Sequence, residues 1–106
     1  MPEESVPPIS TDEAKALIAR GDAIVIDVRE DHEVRKTGRV AGALHIPLAT
    51  LPSHEFDRAQ TILLYCGVGE RAGIGGQLLK AMGYPNVFNL GGFRDWVKNG
   101  GAIEKA

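Results

Sequence analysis

The sequence predicts an α/β domain with a parallel sheet covered by helices on both faces. Two observations carry this. Ala23-Ile24-Val25-Ile26, Thr61-Ile62-Leu63-Leu64-Tyr65 and Asn86-Val87-Phe88-Asn89-Leu90 are short, mostly apolar runs without strict alternation, as expected of strands buried on two sides. Helix-like stretches separate them, and an alternation of strand and helix is the α/β pattern.

Taken in order, residues 1–8 hold three of the six prolines and show no periodicity. They read as an extended lead-in to a single domain filling 9–106, with Ile9 a candidate short edge strand. Ser10-Thr11-Asp12-Glu13 fits a capping box in which Ser10 and Glu13 satisfy each other's backbone N–H groups. Ala14, Leu17 and Ile18 form the apolar face of the helix that follows, and Gly21 stops it. After the strand at 23–26 a helix is expected at about 30–36, then a short strand around 43–46 before Pro47. Residues 49–59 are open between a short helix and a loop. A helix over 71–82 ends at Gly83, and one over 92–99 ends at Gly100. In the last of these, Phe93, Trp96 and Val97 are expected in the core.

A chain of 106 residues makes one domain, burying roughly two-thirds of its unfolded surface. The net charge of −2, with acids and bases interspersed, argues against nucleic acid or an acidic membrane surface as the main partner. No apolar run approaches the roughly 18 residues that span a bilayer. Met1-Pro2-Glu3-Glu4-Ser5 is acidic and unlike a secretory signal. A lone cysteine allows neither an internal disulfide nor a Cys-x-x-Cys metal or redox pair. A cytoplasmic location is therefore expected. His32, His45 and His54 lack ligand-like spacing, so no metal is expected.

That lone cysteine, Cys66, opens the run Cys66-Gly67-Val68-Gly69-Glu70-Arg71 between a buried strand and a helix. Ligands in parallel sheets bind beyond the carboxyl ends of the strands, where loops pass into helix N-termini. There the unpaired N–H groups and the helix dipole favour an anionic sulfur. Gly67 and Gly69 let the backbone bring its amides close to such an anion. Arg71, in the first turn of a helix, meets the positive end of the dipole at a cost of about 0.3–1 kcal/mol. A local rule broken in this way points to an anion-binding role. Glu70 suits the helix end but opposes an incoming dianion. Asp27 and Arg29, beyond the first long strand, are candidate supports: a salt bridge or turn cap structurally, or added positive potential near the loop.

Four stretches in the right order give the chain its family resemblance. They are Ile26-Asp27-Val28-Arg29-Glu30, Gly38-Arg39-Val40-Ala41-Gly42-Ala43-Leu44-His45-Ile46-Pro47, the Cys66 to Arg71 loop, and Gly91-Gly92-Phe93-Arg94-Asp95-Trp96. Together they resemble a single-domain rhodanese. The resemblance implies a central parallel sheet of about five strands and a cysteine that carries sulfane sulfur. Cys66 would be the nucleophile, Gly67, Val68, Gly69, Glu70 and Arg71 the substrate-binding cradle, and no cofactor beyond the cysteine persulfide would be needed. Sulfur would pass from thiosulfate or a persulfide to cyanide or a thiol. A sulfur-relay protein is a further candidate partner, and a relay or interaction module with little small-molecule turnover is the alternative. Relatives acting on phosphate have five residues between Cys and Arg. Four lie between Cys66 and Arg71 here, which disfavours a phosphatase or arsenate reductase. Arg39 stands where the family often has His.

Overall fold

The computed structural model describes residues 6–105; Met1 to Ser5, the first part of the expected lead-in, and Ala106 lie outside the described residues. The order of elements is α1 (Thr11–Ala19), β1 (Ala23–Asp27), α2 (Asp31–Thr37), β2 (Arg39–Val40), β3 (Leu44–His45), a 3₁₀ helix (Leu48–Ser53), β4 (Thr61–Cys66), α3 (Glu70–Ala81), β5 (Val87–Gly92), α4 (Phe93–Lys98) and β6 (Ile103–Glu104). The main sheet runs β3-β1-β4-β5 with every neighbouring pair parallel.

The α/β architecture with its central parallel sheet is as the sequence predicts, and among the described residues that sheet has four strands where about five were expected. The edge strand expected at Ile9 shrinks to one parallel bridge, Pro8 to Asn89, held by Asn89 N–H to Pro7 O (2.9 Å) and Ile9 N–H to Asn89 O (3.1 Å). Pro7 and Pro8 have no N–H to extend a ladder. Two-residue β2 and β6 pair antiparallel, matching Arg39 with Glu104 and Val40 with Ile103. Their pairing joins residues far apart in sequence, with no apolar run to mark either strand.

Side chains on successive strand residues point to opposite faces, and both faces here are buried. Ile26, Val28, Ile62, Leu64 and Cys66 pack with Leu51, Ala72, Leu79 and Tyr84 on the face covered by the 3₁₀ helix and α3. Val25, Leu63 and Tyr65 pack with Ala14, Phe93 and Trp96 on the face covered by α1 and α4. Each fully buried Ile or Leu on these strands contributes about 1.5–3 kcal/mol of burial free energy. Val97, expected in the core, is 45% exposed. On so short a helix only Phe93 and Trp96, one turn apart, reach the sheet.

Helix ends follow the sequence closely. The Ser10–Glu13 capping box is present, with Glu13 N–H donating to Ser10 Oγ (3.1 Å) and Ser10 N–H to Glu13 Oε1 (3.4 Å). Residues 49–59 begin within the 3₁₀ helix and continue as a connection to β4. α3 packs closely on that helix: a methyl on Gly75 would lie 3.1 Å from Leu51 Cδ2 and 3.3 Å from Leu48 Cδ1. A helix-interior glycine costs about 1 kcal/mol relative to alanine, and here it is what permits the close approach. No helix among the described residues is long and apolar enough to cross a membrane.

Candidate active site

β4 continues one residue further than expected and delivers Cys66 as its last residue, at the carboxyl edge of the sheet. Its neighbour on β5 is Gly92. The register between these strands slips after Leu64, so that Tyr65 pairs with Gly91 and Leu90 is left over as a bulge. Bulges of this kind re-aim a strand end. The Cys66 side chain has no exposed surface. Gly69 N–H donates to Cys66 Sγ at 3.0 Å.

Three residues, Gly69 in the loop and Asn89 and Gly92 on β5, fix its course. Gly69 has φ +94°, in the left-handed region, and forms the N-cap of α3; a residue with a Cβ is strained there. Asn89 on β5 donates through Nδ2 to Gly69 O (3.0 Å), while its Oδ1 accepts from Gly91 N–H (2.8 Å). Gly92 lies so close that a methyl on it would stand 2.6 Å from Gly67 O. The second Gly of Gly91-Gly92 is therefore a contact surface for the loop. Nothing in the local pattern marked Asn89, because its role comes from pairing β5 with β4.

Arg71 sits in the first turn of α3, and its guanidinium is engaged by Glu33 of α2. Nη1 donates to Oε1 at 2.6 Å and Nη2 to Oε2 at 2.9 Å. The cost of placing Arg71 at the positive end of the helix dipole thus has a structural counterpart in the Glu33 carboxylate. Glu33 also accepts from Glu30 N–H through Oε1 (3.0 Å), so one carboxylate caps α2 and clamps Arg71. The hydrogen bonds from Arg71 hold its carboxyl at about 2, below the usual carboxylate range; partial burial opposes this and the Glu30 N–H adds to it. The Arg71 guanidinium is correspondingly raised, chiefly by Glu33, against the effect of burial and with smaller contributions from Cys66. The pair lies over the start of the loop: a methyl on Gly67 would be 3.3 Å from Arg71 Nη2 and 3.8 Å from Glu33 Oε2.

Glu70 is exposed, and Val68 at the loop tip is 85% exposed. Asp27 and Arg29 form a buried pair. Asp27 Oδ1 accepts from Arg29 N–H (2.9 Å) and Nε (3.0 Å), and Oδ2 accepts from Nη2 (2.7 Å) and from the Tyr65 hydroxyl (2.6 Å). Arg29 also donates to Thr37 Oγ1 and Gly38 O, both at 2.8 Å, and lies 4.6 Å from the Phe93 ring centroid. Burial works to lower this guanidinium, and the hydrogen bonds and charge of Asp27 outweigh it, leaving it raised. Burial, reinforced by Asp27, pushes the Tyr65 hydroxyl up. Arg29 thus has the salt-bridge and turn-capping geometry, with its charge balanced by Asp27. His45 is bonded to Arg29 O (2.8 Å) and His54 stacks on Phe56.

The family model for the rhodanese-like domain matches residues 10–99. The chain belongs to the rhodanese-like domain family. Its relatives include thiosulfate sulfurtransferase GlpE of Coxiella burnetii, 34% identical over 91 residues, which cover 83% of this chain and 84% of that one. Among solved structures, the rhodanese-like domain protein of Staphylococcus aureus superposes with a TM-score of 0.79 at 28% identity, covering 94% of this chain and all of the other. A Rhodopseudomonas palustris protein of unknown function, named a possible tyrosine phosphatase, superposes with a TM-score of 0.82 at 26% identity, covering 93% and 85%.

Proposed function

We propose that this rhodanese-like domain is a sulfurtransferase and that Cys66 carries the transferred atom. The observation behind this reading is the Cys66 sulfur placed at the sheet's carboxyl edge, already accepting the Gly69 amide. Val68, Glu70 and Arg71 amides have no hydrogen-bond partner among the described residues. They are thus available to an anion at the helix start. The name of the Coxiella burnetii relative supports the same class of reaction.

In the first half-reaction the Cys66 thiolate attacks the outer sulfur of the donor. For thiosulfate, the S–S bond breaks and sulfite leaves with the bonding pair, giving a Cys66 persulfide anion. In the second, cyanide or a thiolate attacks the outer sulfur, and thiocyanate or a new persulfide departs as the Cys66 thiolate re-forms. Covalent transfer of this kind divides one reaction into two displacements, and the loop amides stabilise the anion in each. The cysteine itself serves as the carrier, so no metal or organic cofactor enters the scheme.

The four-residue spacing between Cys66 and Arg71 speaks for sulfur and against phosphate as the cargo, despite the phosphatase suggestion attached to one structural neighbour. Steady-state assays varying thiosulfate against cyanide test the reading. Parallel double-reciprocal lines and complete loss of thiocyanate formation in Cys66→Ser are expected. Activity surviving in that variant, or hydrolysis of a phosphate ester that depends on Cys66, would overturn it.

A further inference from the structure

The cation best placed to receive an anionic donor is not free. Nη1 and Nη2 of Arg71 each give an N–H to one oxygen of Glu33. The pair is only partly exposed, with 35% of the Arg71 and 27% of the Glu33 side chain accessible. The carboxylate stays ionised at any pH where a thiolate works, since its pKa is about 2. Glu70, on the same helix turn, adds a second negative charge at the surface. The loop and its immediate partners therefore carry one arginine against two carboxylates.

Building on the sulfurtransferase reading, we propose that Glu33 is a specificity-determining residue that competes with anionic sulfur donors for Arg71, so that the site favours a persulfide over dianionic thiosulfate. A sulfonate is a bidentate acceptor for a guanidinium, as a carboxylate is. A sulfonate can take the Nη1–Nη2 edge only by displacing Glu33; on any other edge of the guanidinium it binds with the Glu33 carboxylate still beside a dianion, so Glu33 opposes it either way. A protonated alkyl persulfide has no group that needs Arg71. Its outer sulfur is taken by the Cys66 thiolate and its thiolate leaves, with charge balanced and without displacement of Glu33. Selection of this kind works by a repulsive element, which is a common way to discriminate between ligands of similar intrinsic reactivity. Distance in sequence hides this: Glu33 lies 38 positions before Arg71, and its visible local role is to cap α2.

Glu33→Gln removes the charge while leaving an oxygen to accept the Glu30 N–H, as glutamine does in a capping box. The loading half-reaction is measured as kcat/KM for thiosulfate and for hydroxyethyl persulfide. Thiosulfate kcat/KM should rise about tenfold, the scale of one charge-assisted bond freed for the ligand, with persulfide kcat/KM within about twofold. A fall for both donors alike would make Glu33 a structural strut and overturn the proposal, as would an equal rise for both. Glu33→Ala, which also removes the cap, separates loss of helix ends from loss of charge. It should share the thiosulfate gain at lower stability, and absence of that gain counts against the proposal.

A second readout does not depend on turnover. Sulfate should protect Cys66 from alkylation by iodoacetamide at about tenfold lower concentration in Glu33→Gln than in wild type; equal protection overturns the proposal. If sulfate protection sharpens while no donor loads sulfur onto the wild-type protein, the sulfurtransferase reading fails and the competition between Glu33 and anions stands. If the wild type loads sulfur and sulfate protection is unchanged, only the competition fails.

Discussion

Two residues distant in sequence, Glu33 and Gly92, bound the Cys66 loop from outside it. Glu33 has a carboxyl pKa lowered from 4.5 to about 2 by Arg71. A lowered folded-state pKa means stability that is present above the unfolded value and lost as pH falls through the folded one. The stability difference between wild type and Glu33→Gln should therefore shrink as pH falls from about 4.5 towards about 2. Since the pair is partly exposed, that difference should be small and should fall with added salt. A difference that stays constant through this range in chemical denaturation would contradict the assignment. Gly92 acts through space: an added methyl would stand 2.6 Å from Gly67 O and 3.2 Å from Val68 Cα. Gly92→Ala should destabilise the protein by about 1–3 kcal/mol and slow sulfur loading at least about tenfold by displacing the loop. Loading at the wild-type rate would show that the loop tolerates the shift. Cys66 and its glycines were legible in the sequence because strand, loop and helix are contiguous. Glu33 and Asn89 were not, because each meets the loop only through the fold.

At the scale of elements, a buried polar network ties β1, β4, α2 and β2 together. Tyr65 donates to Asp27 Oδ2 (2.6 Å) and accepts from Val40 N–H (2.9 Å), while Arg29 links Asp27 to Thr37 and Gly38. Tyr65 faces the α1 and α4 side of the sheet, opposite Cys66. Tyr65→Phe leaves the Val40 N–H buried without a partner, which costs about 1–3 kcal/mol. The midpoint of urea unfolding should drop accordingly with an unchanged slope. An unshifted midpoint would mean that the hydroxyl contributes nothing net to holding β2 against β4. The runs that became β1, β4 and β5 were readable because burial on both faces leaves an apolar stretch without alternation. The expected edge strand at Ile9 was not formed because two prolines interrupt its ladder, and Val97 fell outside the core because α4 is too short to bury a second stripe. The β2–β6 pair joins residues far apart in sequence through two-residue strands, which leave no periodicity to read.

For the whole molecule, the sheet and its two helical layers place one sulfur at the carboxyl edge, where the Gly69 amide donates to it. Membership of the rhodanese-like domain family rests on the match across residues 10–99, and the sequence already pointed there through four motifs in order. What no motif revealed is that the arginine at the end of the loop is held by a carboxylate from another helix. The proposed function depends on Cys66 carrying the transferred sulfur. Its most direct test is the intact mass of the protein after incubation with thiosulfate or hydroxyethyl persulfide, followed by cyanide. A gain of one sulfur atom is expected with at least one of these donors, reversed by cyanide with release of thiocyanate, and no gain in Cys66→Ser. An unchanged mass with both donors, or the same gain in Cys66→Ser, would contradict it.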